Sequence, residues 1–116
     1  MKKIQNTDFE QRSYIFSINS VSFVKSMQKA GLQNEMTILL MKQSSQVSLK
    51  ILDAYDIENE IEVNKLIIES LELLKSCHFL LQNIRVNDDK LLLNEKADLQ
   101  IEASFLVKDI VKYLED

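Results

Sequence analysis

The sequence contains no proline, no tryptophan, and only one glycine, one cysteine and one histidine among 116 residues. Each scarcity removes a class of structure or chemistry. All-β folds need frequent tight turns, which Gly and Pro supply, and α/β folds also spend glycine where strands meet helices. A chain this poor in both favours long helices joined by a few short loops. The single cysteine, Cys77, cannot form an internal disulfide, which fits a reducing compartment. A glycine-rich phosphate cradle is missing along with the glycines. The polar opening, Met1 to Thr7, lacks the apolar run of a secretion signal. No stretch nears the roughly 18 uninterrupted apolar residues of a membrane helix. The expectation is a cytoplasmic protein with no membrane partner.

What is present is ordinary globular material, 46% hydrophobic and 28% charged. That balance argues against disorder and for one domain over residues 1–116. The net charge of −4 is unevenly spread. Residues 1–50 carry seven Lys/Arg and three Asp/Glu, a net of +4, whereas residues 51–116 carry seven and fifteen, a net of −8. Acidic solvated faces on the later helices explain this. So would a basic first half that meets an acidic partner surface or another subunit's second half. The acidic total argues against avid nucleic-acid binding but leaves room for a local basic patch.

Helical periodicity divides the chain into four segments, about residues 8–30, 35–54, 60–84 and 89–114. Thr7-Asp8-Phe9-Glu10 has the form of a capping box, and Phe9, Phe16 and Phe23 then recur at heptad spacing to the stop at Gly31. Asn34 suits the cap of the second helix, whose apolar face reads Met36, Leu39, Leu40, Gln43, Val47, Ile51 and Ala54. Small Ser44, Ser45 and Ser48 beside it suggest a close helix–helix approach. Tyr55 to Glu58 reads as a loop, with Asn59 as the next cap. Asn87 or Asp88 caps the last helix, which carries Leu92, Leu99, Ala103, Leu106, Ile110 and Leu114 at seam spacing. Short connections between long helices predict an all-α, antiparallel up-down-up-down four-helix bundle.

The third helix is apolar over more of its circumference than a surface helix needs. A heptad seam runs Val63, Ile67, Ser70, Leu74, Cys77, Leu81, Ile84. Beside it lies a second line, Leu66, Leu73 and Leu80, and a third, Ile68, Leu71 and His78. Either this helix is central to the bundle, or Leu66, Ile68, Leu71, Leu73, His78 and Leu80 form a subunit interface.

Catalytic constellations are lacking. A di-iron bundle needs two Glu-x-x-His pairs, and the only histidine, His78, has Lys75 three residues before it. Cys77 and His78 are adjacent in a helix and so point about 100° apart, which does not suit a shared zinc ion. Cys77 has no base in its sequence neighbourhood to activate it as a nucleophile. The expectation is a non-enzyme with no catalytic residue, no cofactor, no metal and no small-molecule substrate. The remaining chemical candidate is a nucleic-acid contact through Lys25, Lys29, Lys42 and Lys50 in the basic half.

Three segments carry a family likeness. They are Phe9-Glu-Gln-Arg-Ser-Tyr14-Ile-Phe16 continuing to Val24-Lys25, the helix-2 stretch Gln43-Ser44-Ser45-Gln46-Val47-Ser48, and Glu69-Ser-Leu-Glu72 through Cys77-His78-Phe79-Leu80. In these the chain resembles the bacterial four-helix-bundle proteins encoded in intervening sequences of the 23S ribosomal RNA gene. That family carries a ribosomal-protein name in places and includes the accessory protein of diversity-generating retroelements. Ser48 stands where the family often has Gly, Lys50 where it has Asn, and His78-Phe79 where it has Tyr-Trp. The resemblance implies a small bundle assembling with itself into a ring, typically a homopentamer. For the retroelement members it also implies nucleic-acid binding and a reverse-transcriptase partner.

Overall fold

The computed structural model describes residues 3–116. A single 3-10 turn, Ile4–Asn6, precedes four helices: α1 (Phe9–Lys29), α2 (Glu35–Tyr55), α3 (Glu60–Asn83) and α4 (Lys90–Glu115). They form an all-helical four-helix bundle measuring 48 × 19 × 19 Å. Its radius of gyration, 14.7 Å, exceeds the roughly 13 Å of a sphere-like domain of this length, which records the rod shape. Each helix touches its two neighbours around the ring, α1 against α2 and α4, and α3 against α2 and α4. Hydrogen bonds set the directions. Thr7, just before α1, bonds Tyr55 at the end of α2, and Arg12 near the start of α1 bonds Asp109 near the end of α4. Ser17 meets Ser45 midway. These neighbours therefore run in opposite directions.

One apolar core fills the rod, with Phe16, Phe23, Met27, Leu40, Ile51, Ile67, Leu74, Leu81, Leu106 and Ile110 closed to solvent. The heptad phenylalanines and the α3 seam supply it. On α2 the buried stripe is turned slightly from the expected one. Thr37 and Ser44 are fully buried, whereas Leu39 is exposed. Small hydroxyl residues do much of the packing between α1 and α2: Ser13, Ser17, Ser20 and Ser44 are all buried. Ser13 and Ser44 return their hydroxyls to the carbonyls of Glu10 and Met41, so close approach costs few unmade bonds.

The helix ends separate local from distant causes. Gly31 takes the left-handed conformation (φ 73°). The Leu32 amide then donates to the Met27 carbonyl and the Gly31 amide to that of Gln28, a Schellman stop. Asn34 and Thr37 cap α2 reciprocally, and Asn59 accepts from the Glu62 amide to start α3. The first helix differs from expectation: Asp8 is its N-cap, and the Thr7–Glu10 capping box does not form. The hydroxyl of Tyr55 stands in for it. It accepts from the Glu10 amide at 3.4 Å and donates to the Thr7 carbonyl at 2.9 Å. Tyr55 is thus the last residue of α2 and not part of a loop. The α4 cap is Asp89, accepting from Leu92 at 3.0 Å. Asn87 instead takes the left-handed turn (φ 56°) that reverses the chain, a conformation Asn tolerates better than most residues.

Candidate interaction surface

The residues with reactive side chains are kept from working together. Cys77 is fully buried on the α3 seam, and burial pushes its thiol up to about 12. It is a core residue at neutral pH, not a nucleophile. His78 is half-buried one position on, and its ring diverges from Cys77 by a helix step. Among the described residues no three or more His, Cys, Asp or Glu side chains gather as a metal site would. No described helix is long and apolar enough to cross a membrane.

Two clefts lie on the flanks of α1. One, of about 610 Å³ between α1 and α4, is lined by Arg12, Asn19, Ser22, Glu95, Asp98 and Glu102. Arg12 organises it, bonding Asp109 at 2.7 Å and pairing with Asp8 at 3.5 Å and Glu102 at 3.6 Å. Burial works against the guanidinium charge. The Asp109 hydrogen bond and the fields of Asp8, Asp109 and Glu102 outweigh that, and its pKa is raised. The other cleft, of about 630 Å³, is lined by Thr7, Glu10, Tyr14, Ser48, Leu52 and Tyr55 between α1 and α2. Neither brings a nucleophile to a base.

The four candidate nucleic-acid lysines separate into two groups. Lys25, Lys29 and Lys42 are exposed, and the antiparallel pairing of α1 and α2 sets them towards one end of the rod. Lys50 is not with them. It is half-buried and turned to α3, where its Nζ bonds Glu69 at 2.8 Å. That hydrogen bond, with the field of Lys50, lowers the Glu69 pKa.

The candidate subunit interface on α3 is largely used up inside the chain. Leu71 and Leu80 are buried, and Leu66 and Leu73 pack half-buried against the core. Of the six residues only Ile68 is open, with His78 half-covered. A second copy cannot reach Leu71 or Leu80 while the bundle is closed, so the apolar excess of α3 is spent mostly on its own neighbours.

Large apolar side chains stand open on both halves of the bundle, Ile61, Phe79, Leu91, Ile101 and Phe105 on α3 and α4, and Tyr14, Ile18, Leu49 and Leu52 on α1 and α2. Tyr14, Ile18 and the half-buried Val21 fall on one outer face of α1 at helical spacing, followed by Lys25. On α2 the matching residues are Leu52, Leu49 and Ser45. Tyr14 is 59% exposed and Leu49 58%, with Ile18 at 47% and Leu52 at 42%. The Ser17–Ser45 contact runs up the middle of the pair. Sequence periodicity gave little sign of this face, because α1 and α2 each look like ordinary amphipathic helices. Only their side-by-side placement joins two short outer stripes into one.

No protein-family model, curated protein or solved structure matches this chain.

Proposed function

We propose that this chain is a non-enzymatic, cytoplasmic protein that works by assembling with itself, as a scaffold or protein-interaction module. The observation that carries the reading is the outer face of α1 and α2, where Tyr14, Ile18, Leu49 and Leu52 stand exposed, with Asp53 at its margin. Large apolar surfaces of this kind are association sites more often than idle surface. The resemblance to intervening-sequence proteins of the 23S ribosomal RNA gene supports the same reading, since it implies a ring of identical bundles. The absence of any paired nucleophile and base at Cys77 or His78 fits a role without chemistry.

Sedimentation or light scattering tests this directly. The expected result is a mass that is a multiple of the chain's at micromolar concentration. A strict monomer overturns the reading.

A second reading is favoured by the grouping of Lys25, Lys29 and Lys42: an accessory protein that binds RNA or DNA beside a reverse transcriptase. Binding through these lysines should weaken steeply with added salt, in proportion to the phosphates neutralised. No retention on nucleic acid at low salt removes this alternative and leaves self-assembly untouched.

A further inference from the structure

We infer that the cleft between the start of α1 and the finish of α2 takes a small organic cation, an alkylated ammonium group seated between Tyr14 and Tyr55 beside the Glu10 carboxylate. This goes beyond the self-assembly reading and stands without it.

The cleft has a volume of about 630 Å³, and Tyr14, Ser48, Leu52, Tyr55 and the carboxylates Asp8 and Glu10 are among its lining. Glu10 lies between the two aromatic residues. Tyr14 follows it by four positions and so shares its side of α1, while the Tyr55 hydroxyl stands 3.4 Å from the Glu10 amide. That hydroxyl is also bonded to the Thr7 hydroxyl at 2.6 Å and to the Thr7 carbonyl at 2.9 Å, which fixes the Tyr55 ring in place. Leu52, open to solvent, adds an apolar side from α2. The half-buried Ser48 in the lining has a hydroxyl with no hydrogen-bond partner among the described residues, free to meet a polar arm of a ligand.

Electrostatics set the sign of the ligand. Among the described residues no lysine or arginine lines the cleft. The nearest cations in sequence are engaged elsewhere: Arg12 with Asp109, Asp8 and Glu102, Lys50 with Glu69, and Lys3 in a separate cleft beside Ile57 and Glu58. Glu10 enters no ion pair among the described residues, and Asp53 and Asp56 stand exposed at the same end of α2. In the half of the rod that holds the cleft, residues 3–18, 46–71 and 101–116 carry six Lys/Arg and twelve Asp/Glu, a net of −6. The start of α1 and the finish of α2 meet here with dipoles of opposite sign, which offset each other. An anion would be repelled, and a hydrated metal ion would make no use of Leu52. An alkylated ammonium group uses every part of the lining: its charge meets Glu10, its alkyl groups meet Leu52, and the tyrosine faces attract it by their quadrupole.

The probes are choline and dimethylbutanol, its uncharged analogue with carbon in place of the ammonium nitrogen. Titration of the full chain is followed by NMR, with circular dichroism to confirm that each variant folds. Choline should give saturable shifts at Glu10, Tyr14 and Ser48, and dimethylbutanol should bind about three- to tenfold more weakly. Tyr14→Leu keeps an apolar side chain but loses the ring, and should weaken choline binding about three- to tenfold, whereas Tyr14→Phe should restore it. Glu10→Gln should weaken it about two- to threefold, the effect of one exposed charge. Asp98→Asn, in the cleft on the other flank of α1, should leave it unchanged. Tyr14 and Leu52 also belong to the apolar face, so the titration is repeated with Ile18→Ser and Leu49→Ser, which loosen a contact through that face without touching the cleft lining. No saturable shift in either background overturns the inference. So does equal binding of dimethylbutanol, or a Tyr14→Leu variant that binds choline as the parent does. Choline binding by a strictly monomeric chain upholds the cleft and removes the self-assembly reading; an oligomer that ignores choline in both backgrounds does the reverse.

Discussion

The bundle has two layers, α1 with α2 and α3 with α4, which differ in what they bury along their contact lines, while both leave large apolar residues outside, Ile61, Phe79, Leu91 and Phe105 among those of the second. Helix α3 has the most apolar sequence stripes, yet its neighbours cover most of them, and Leu71 and Leu80 end inside. Helices α1 and α2 have fewer such stripes but leave Tyr14, Ile18, Leu49 and Leu52 outside. Serine explains part of the difference. Ser13, Ser17, Ser20 and Ser44 occupy buried positions between α1 and the rest of the bundle, where α3 places mostly larger apolar residues. Apolar content of a helix thus predicts how much it can bury, while the size of the residues at the contact line decides which of its faces is left over.

The largest effect that sharpens this contrast is in the core. Leu71→Ala should cost about 2–5 kcal/mol, the range for deleting a buried leucine side chain. Ile68→Ala, almost one helical turn before it and open to solvent, should cost well under 1 kcal/mol. Urea denaturation of the pair decides the matter; equal losses would break the division between the buried and open sides of α3.

A middle-sized effect concerns how each layer is tied at its ends. In the first layer Tyr55 bonds Thr7 and the Glu10 amide. In the second, Lys96 donates to the Ile84 carbonyl at 2.7 Å, at the end of α3. Tyr55→Phe should lower stability by about 1–2 kcal/mol, as the loss of a helix cap does. Lys96→Met keeps its aliphatic stem and should cost about 0.5–1 kcal/mol, a single hydrogen bond. The ordering can be checked from denaturation midpoints, and its reversal would make the second layer the better fastened.

The smallest effect lies between the layers, at Lys50 and Glu69. The Glu69 pKa is lowered from its ordinary 4.5 in the folded chain. Its contribution is therefore present above about that pH, and is lost as pH falls through the lower folded value. Glu69→Gln should lower the thermal midpoint slightly at pH 7, and the gap to the parent should close as pH drops below 4. A gap that persists in acid would mean that Glu69 stabilises by packing and not by charge.

The fold was legible in the sequence because its causes are local. Gly31, Asn34 and Asn59 act within a few residues of themselves, and the heptads of α1 and α3 name most of the core. The misreadings have distant causes. Thr7 has the form of a capping residue, but Tyr55, 48 positions away, takes the role. Asn87 and Asp88 both suit a cap, and the choice of Asp89 follows from the left-handed turn at Asn87. The candidate surface was the least legible of all. Leu71 and Ile68 belong to the same stripe in the sequence, and only the position of α4 separates them. Lys50 likewise reads as one of four free cations until Glu69 is set opposite it.

The Arg12 cluster has a consequence for the order of assembly. It joins α1 to α4 across 97 positions of chain, whereas the other seams join helices consecutive in sequence. Consecutive helices close short loops and are expected to find each other early, with the α1–α4 seam forming last. The extra entropy of the longer closure is modest, about 0.6 kcal/mol for each doubling of loop length. Arg12 sits at this seam with three carboxylates within reach, so a charged fork gathers the two ends of a chain whose middle is already folded.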